Sequence, residues 1–122
     1  MYIESHTVEV QPASELTQKK CVPCEGGVEP CALPFITKQL ALLEGWESSD
    51  DNLSIIKKWT MNNFVEALAF FNQVGEVAEA EGHHPDLHLE GYKFVRIEIS
   101  THAIGGLSEN DFILAAKIEE IA

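Results

Sequence analysis

The chain has 122 residues and a net charge of −12, with 45% hydrophobic and 23% charged residues. That length holds one domain with a real core, and no apolar run reaches the roughly 18 residues of a membrane span. The acidic balance argues against nucleic acid as a direct partner, because phosphate binding needs a basic patch; its ordinary use is solubility.

Residues 1–32 show no sustained periodicity and read as a lightly structured extension, with turns at Pro23, Gly26-Gly27 and Pro30. The first twenty residues lack arginine and an apolar stretch, so they resemble neither a secretory signal nor a transit peptide, and the cytoplasm is the default compartment. The cysteines are Cys21, Cys24 and Cys31. The Cys21-Val-Pro-Cys24 pair has no fourth ligand for zinc and no preceding βαβ pattern for a redox role, so its use stays open.

Residues 33–122 read as the domain. From Phe35 the pattern is helical, with Ile36, Leu40 and Leu43 on one face and Gly45 as the stop. Trp46–Asp51 and Leu53–Thr60 predict a hairpin around a Ser/Asp/Asn turn. Asn63 with Glu66 signs the start of the strongest helix, its apolar stripe is Phe64, Leu68, Phe71, Val74 and Ala78, and Gly82 suits its C-terminal cap. Leu87–Leu89 predicts a short edge strand. Tyr92–Thr101 predicts a strand with Val95, Ile97 and Ile99 on its core face, which puts His102 on the open face with Tyr92 and Phe94. Ser108 and Asp111 predict the capping of a last helix, stapled by Leu107 and Phe112, with Leu114, Ala115, Ile118 and Ile121 buried. The order α-β-β-α-β-β-α with short connections predicts an α+β fold: a four-stranded antiparallel sheet with helices on one face.

Four of the five histidines lie in the second half of this domain, and His83, His84 and His102 are the three that fall near a carboxylate-bearing helix end or a glycine turn. Imidazole has an unperturbed pKa near neutrality, so converging histidines suit proton transfer. Adjacent His83 and His84 point to opposite sides of an extended chain, which is poor spacing for chelating one metal, so zinc at three histidines ranks below an acid/base site. Glu79 lies one turn before His83. His102 precedes Gly105-Gly106, which permits close approach of a ligand. Asp111 is explained equally by capping. His6 and His88 read as polar surface.

These residues fall into a pattern: Glu79, three positions, His83-His84-Pro85, six positions, Tyr92, nine positions, His102, eight positions, Asp111. With Gly45-Trp46 and Gly-Gly-Leu-Ser-Glu-Asn-Asp before the last helix, the chain resembles the pterin-4a-carbinolamine dehydratases over about residues 35–121. The cysteine-bearing arm is similar to an extension of plant and protist members. The resemblance implies removal of water from a 4a-hydroxytetrahydropterin to give the quinonoid dihydropterin, recycling the cofactor of aromatic amino-acid hydroxylases. It implies His83 and His102 as the acid/base pair, His84 as an assisting and positioning group, and Asp111 beneath His102 as its orienter. Glu79 would accept hydrogen bonds from the pterin, with Gly82, Ser100, Thr101 and Ala103 completing the substrate contacts. No metal or other cofactor is implied, since the pterin is the substrate. A homodimer or homotetramer is implied as well. The alternative on the same fold is a non-catalytic assembly protein or transcriptional coactivator.

Overall fold

A chain whose apolar residues alternate in two short runs and recur at helical spacing in two longer ones can bury both only by laying helices across one sheet face. The computed structural model describes residues 9–23 and 29–122 and shows that arrangement. The helices are α1 (Ala13–Leu16), α2 (Leu33–Leu40), α3 (Phe64–Glu81) and α4 (Glu109–Ile121). The strands are β1 (Glu47–Ser48), β2 (Ile55–Thr60), β3 (Asp86–Glu90) and β4 (Phe94–Ile99), in the antiparallel order β1-β2-β4-β3. The α+β fold and the order of its seven predicted elements hold, and α1 is an addition.

Register fixes which residues meet the helices. Ile55 pairs with Ile99 and Leu87 with Ile97, so β2, β3 and β4 all turn apolar side chains to the core face. Val95, Ile97 and Ile99 are fully or almost fully buried there. Trp46, Trp59 and Phe70 stack edge to face between the sheet and α3, with centroids 5.8 and 5.1 Å apart. Such pairs add about 0.5–1.5 kcal/mol each beyond the area they bury. Lys57, also on this face, reaches Glu119 of α4 at 2.7 Å.

The two long helices carry the local signals expected of them, with corrections in detail. Asn63 caps α3 by accepting from the Glu66 N–H at 2.8 Å, but the Glu66 carboxylate turns to Asn62 rather than back to the cap. The buried stripe of α3 is Ala67, Phe70, Val74 and Ala78; Phe64 and Leu68 are exposed. The helix is apolar over more than half its circumference, and the Trp59 ring against Phe70 selects the face rotated from the expected one. In α4 the capping box of Ser108 and Asp111 forms as predicted, and Leu107 and Phe112 are both buried. Burial extends from Asn110 through Ala116 without interruption, well beyond a single stripe, because a further layer covers the outer side.

That layer is the N-terminal segment. Leu16 of α1 is fully buried and Cys21 nearly so, within the same core cluster as Phe112. Residues 9–23 are therefore packed against the domain, not the lightly structured arm expected. The sequence hides this because one leucine and one cysteine in a short helix make no readable period. The expected turn at Gly26-Gly27, Cys24 and His6 lie outside the described residues.

A second correction concerns Tyr92. The strand begins at Phe94, and Gly91 and Tyr92 both take positive φ, 54° and 56°, in the β3–β4 turn. Tyr92 thus belongs to the turn, 59% exposed, rather than to the open sheet face.

Candidate active site

The end of α3 sets the site. Gly82 takes the left-handed conformation (φ 67°) and donates its N–H to the Glu79 carbonyl, while the His83 N–H reaches the Ala78 carbonyl at 3.2 Å. A side chain at position 82 would be strained in that backbone, so glycine is what allows the chain to leave the helix and turn at once. The His-His-Pro segment that follows then divides. His83 points inward and is half-buried, and His84 points outward.

His83 ends on α4. Its Nε2 lies 2.6 Å from Asp111 Oδ1. The Asp111 side chain is wholly buried, and its Oδ2 accepts from the Thr101 hydroxyl and from the Ser108 N–H, both at 2.8 Å. The Thr101 hydroxyl also lies 2.7 Å from that of Ser108. One carboxylate therefore caps α4, fixes the end of β4 and holds His83. The expectation that Asp111 orients His102 is corrected: the helix start is crossed by the segment leaving α3, and its third residue faces His83.

His84 Nε2 sits 2.6 Å from Glu79 Oε2, with both side chains mostly in solvent. His102 opens a short 3-10 turn, His102–Ile104, closed by Gly105 in the left-handed conformation and by pairing of Thr101 with Gly106. Its side of the sheet is the one expected, since it borders Glu98 and Ser100 of the open face.

These parts enclose a cleft of about 350 Å³. Gly82, His83, His84, Ser100, Thr101, His102 and Ala103 line it, so nearly every sequence-predicted site residue converges on one space. Glu79 stands at its edge through His84, and Asp111 stands behind it through His83. A second cavity of about 250 Å³ shares Ser100, Thr101 and His102 and is walled by Asp51, Asp86 and Glu98. The Ser49 hydroxyl and the Leu53 N–H hold the Asp51 carboxyl below the usual range. Among the described residues no cluster of three or more His, Cys, Asp or Glu has metal-binding geometry.

Sequence reasoning missed Val22, Pro23 and Asn110 in the cleft wall, and Glu81, which accepts from the Cys21 N–H beside it. Burial raises the Glu81 carboxyl, but the Lys117 ammonium and the Cys21 N–H outweigh it and hold the group below its ordinary value. Burial and the neighbouring Glu81 carboxylate push the Cys21 thiol up to about 12. Val22 and Pro23 sit inside the Cys21-Val-Pro-Cys24 motif, but nothing in that motif points to a cleft wall, and no local motif marks Asn110 or Glu81.

The sequence matches the family described as Pterin 4 alpha carbinolamine dehydratase over residues 31–121. The chain belongs to this family. It is 50% identical over 115 residues to the mitochondrial pterin-4-alpha-carbinolamine dehydratase 2 of Arabidopsis thaliana, covering 88% of this chain and 59% of that protein's length. It is 46% identical to a putative pterin-4-alpha-carbinolamine dehydratase of Methylococcus capsulatus, covering 90% and 96% of the two chains. A transcriptional coactivator/pterin dehydratase from Brucella melitensis superposes with a TM-score of 0.72 at 28% identity, over 77% of this chain and 99% of that one. A pterin dehydratase-like protein described as a RuBisCO assembly factor in the alpha-carboxysome shares the fold alone, with a TM-score of 0.55 at 20% identity over 65% and 90% of the chains. In this pterin dehydratase-family chain, no described helix is long and apolar enough to cross a membrane.

Proposed function

We propose that the chain dehydrates a 4a-hydroxytetrahydropterin to the quinonoid dihydropterin and water, with His83 and His102 as the proton-transfer pair. The observation that carries the reading is the His83–Asp111 contact at 2.6 Å behind a cleft that His102 also lines. A carboxylate can only accept, so when the His83 ring is neutral it is Nε2 that carries the proton and Nδ1 that keeps the lone pair. His83 is therefore the base that takes the pterin N5 proton. As the N5–H electrons form the C4a=N5 bond, the C4a–O bond breaks, and His102 delivers the proton that makes the leaving hydroxyl water. The two protons balance, and the chemistry calls on no metal or redox cofactor.

In this reading His84 assists at the cleft mouth, where Glu79 holds it and presents carboxylate to the pterin's amide and amino groups. Gly82, Ser100, Thr101 and Ala103 supply backbone and small side chains against the substrate. The product would feed the reductive recycling of a hydroxylase cofactor. A homodimer or homotetramer is part of the proposal, supported by the sheet edges at β1 and β3 and by exposed Phe64, Val65 and Leu68 on α3. Solution mass decides between the two. The cytoplasm belongs to the proposal too, and fractionation against mitochondria tests it, given the name of the Arabidopsis relative.

The test is dehydration of a chemically prepared 4a-hydroxytetrahydropterin. The intact chain is expected to exceed the spontaneous rate, and His102→Ala is expected to lose on the order of 10²–10⁴-fold of kcat. The His102 residue is exposed and its side chain makes no hydrogen bond among the described residues, so the melting temperature should not move. An intact chain at the spontaneous rate would favour the assembly or coactivator reading instead. Near-full activity in His102→Ala would remove His102 from the chemistry.

A further inference from the structure

The histidine-bearing part of the cleft is built by α3, β4 and the turn after it, but another part of its lining comes from residues that precede the family's matched region. Val22 and Pro23 line the same space as His83, His84 and His102, and the family match begins at residue 31.

This rim is held at several points. The Asn110 side chain grips the Val22 backbone at both ends, accepting from its N–H at 3.0 Å and donating to its carbonyl at 2.6 Å. One residue earlier, the Cys21 N–H donates to Glu81 Oε1 at 2.8 Å, and the other oxygen of Glu81 accepts from Lys117. The Cys21 thiol points to the Asn110 carbonyl at 3.5 Å. Lys20 reaches the Ala80 carbonyl at 2.6 Å, and Lys19 meets Glu109 at 2.6 Å. The segment is thus tied to the end of α3 and the start of α4, the two elements that place His83 and Asp111. Its backbone is fixed while the Val22 side chain stays 63% exposed. A single exposed valine is ordinary. This one has its main chain gripped twice by a buried asparagine, so its side chain is held in a fixed place at the rim of the cleft.

We propose that Val22 and Pro23 form an apolar wall of the pterin site, and that Asn110 is the positioning residue holding that wall beside the histidines. The proposal rests on the dehydratase reading for the identity of the ligand. It assigns the N-terminal segment to substrate binding and leaves proton transfer to the histidines. Loss of the wall should therefore raise KM and leave kcat almost unchanged, because the contact is the same in ground and transition states.

The experiment uses the full chain with Val22→Ser, Val22→Leu and Asn110→Ala. It measures turnover of a 4a-hydroxytetrahydropterin, and affinity for 7,8-dihydrobiopterin as a stable probe. Val22→Ser is expected to raise KM and the probe Kd about tenfold with kcat within about twofold, and Val22→Leu to restore both. Asn110→Ala should move KM in the same direction while keeping the Asp111 capping box. Should Asn110→Ala fail to fold, Val22→Ser still decides, since its side chain is exposed. An active parent chain whose KM and probe affinity are untouched by Val22→Ser overturns the wall and leaves the dehydratase reading standing. A parent chain that turns over no pterin but binds the probe, more weakly with serine at position 22, keeps the wall and overturns the reaction. A parent chain that neither turns over nor binds a pterin overturns both.

Discussion

Two histidine–carboxylate pairs stand next to each other in this molecule at the same separation, 2.6 Å, and differ in almost everything else. His83 and Asp111 have side chains 12% and 0% exposed, whereas His84 and Glu79 are 62% and 79% exposed. Distance alone therefore says nothing about what a pair contributes. The inner contact is shielded from water and joined to two further donors, so removing the carboxylate leaves polar groups with no solvent to replace it. The outer contact competes with water and salt at every moment, and its share in stability is near zero. The inner pair restrains the imidazole's orientation; the outer pair leaves both groups largely in solvent.

The largest effect should come from breaking the inner pair. Asp111→Ala removes the helix cap and leaves the Thr101 hydroxyl, the Ser108 N–H and His83 without their common acceptor. The expected cost is about 3 kcal/mol in urea denaturation, from one lost cap and buried groups left unsatisfied. The surviving fold should lose roughly 10²-fold of kcat, because His83 no longer has a fixed base-competent tautomer. A full loss of stability with no change in kcat would make Asp111 a cap only, and the two pairs would then differ in degree rather than in kind.

The contrast between buried and exposed carboxylates can be sharpened at Glu81, whose side chain is only 8% exposed and which joins Lys117 to the N-terminal segment. Its carboxyl is held lower in the folded chain than in the unfolded one. The stabilisation is therefore complete above the unfolded carboxylate range, about 4.3, and is lost as pH falls through the lower folded value. Glu81→Gln should cost about 1–2 kcal/mol at neutral pH, as a charged hydrogen bond becomes a neutral one. That gap should close as the pH is taken down through the acid range. Urea midpoints of parent and variant against pH test this, and a gap that persists unchanged at the acid end would rule out ionisation as its source.

How much of this could be read beforehand divides along the same line. The typed positions from Glu79 to Asp111 lie in one stretch of chain, and their spacing brings His83, His84 and His102 to one cleft. The partnership of Asp111 could not be read that way, because it depends on where the start of α4 crosses the segment leaving α3. Helix signals at Asn63, Gly82, Ser108 and Asp111 are local chemistry and were legible. The buried face of α3 was not, since Phe64-Leu68 and Ala67-Phe70 offer two apolar faces and only packing against Trp59 selects one. The N-terminal segment is the extreme case. Its attachment runs through Glu81, Asn110 and Lys117, far along the chain and unremarkable as residue types.

The smallest effect on stability should come from the outer pair, and its value lies in being separable from function. Glu79→Gln keeps the shape of the side chain and removes its charge. With both partners mostly in water, the change should stay within about 0.5 kcal/mol in urea denaturation, and raising the salt should weaken the parent contact similarly. If Glu79 also receives the pterin's amide and amino groups, the amide loses a charge-assisted acceptor there, and KM should rise about fivefold with little change in kcat. High salt should narrow that difference, since charge on an exposed group is what it screens. An unchanged KM would confine Glu79 to holding His84, and a fall in kcat without a change in KM would place His84 in the chemical step alongside His83 and His102.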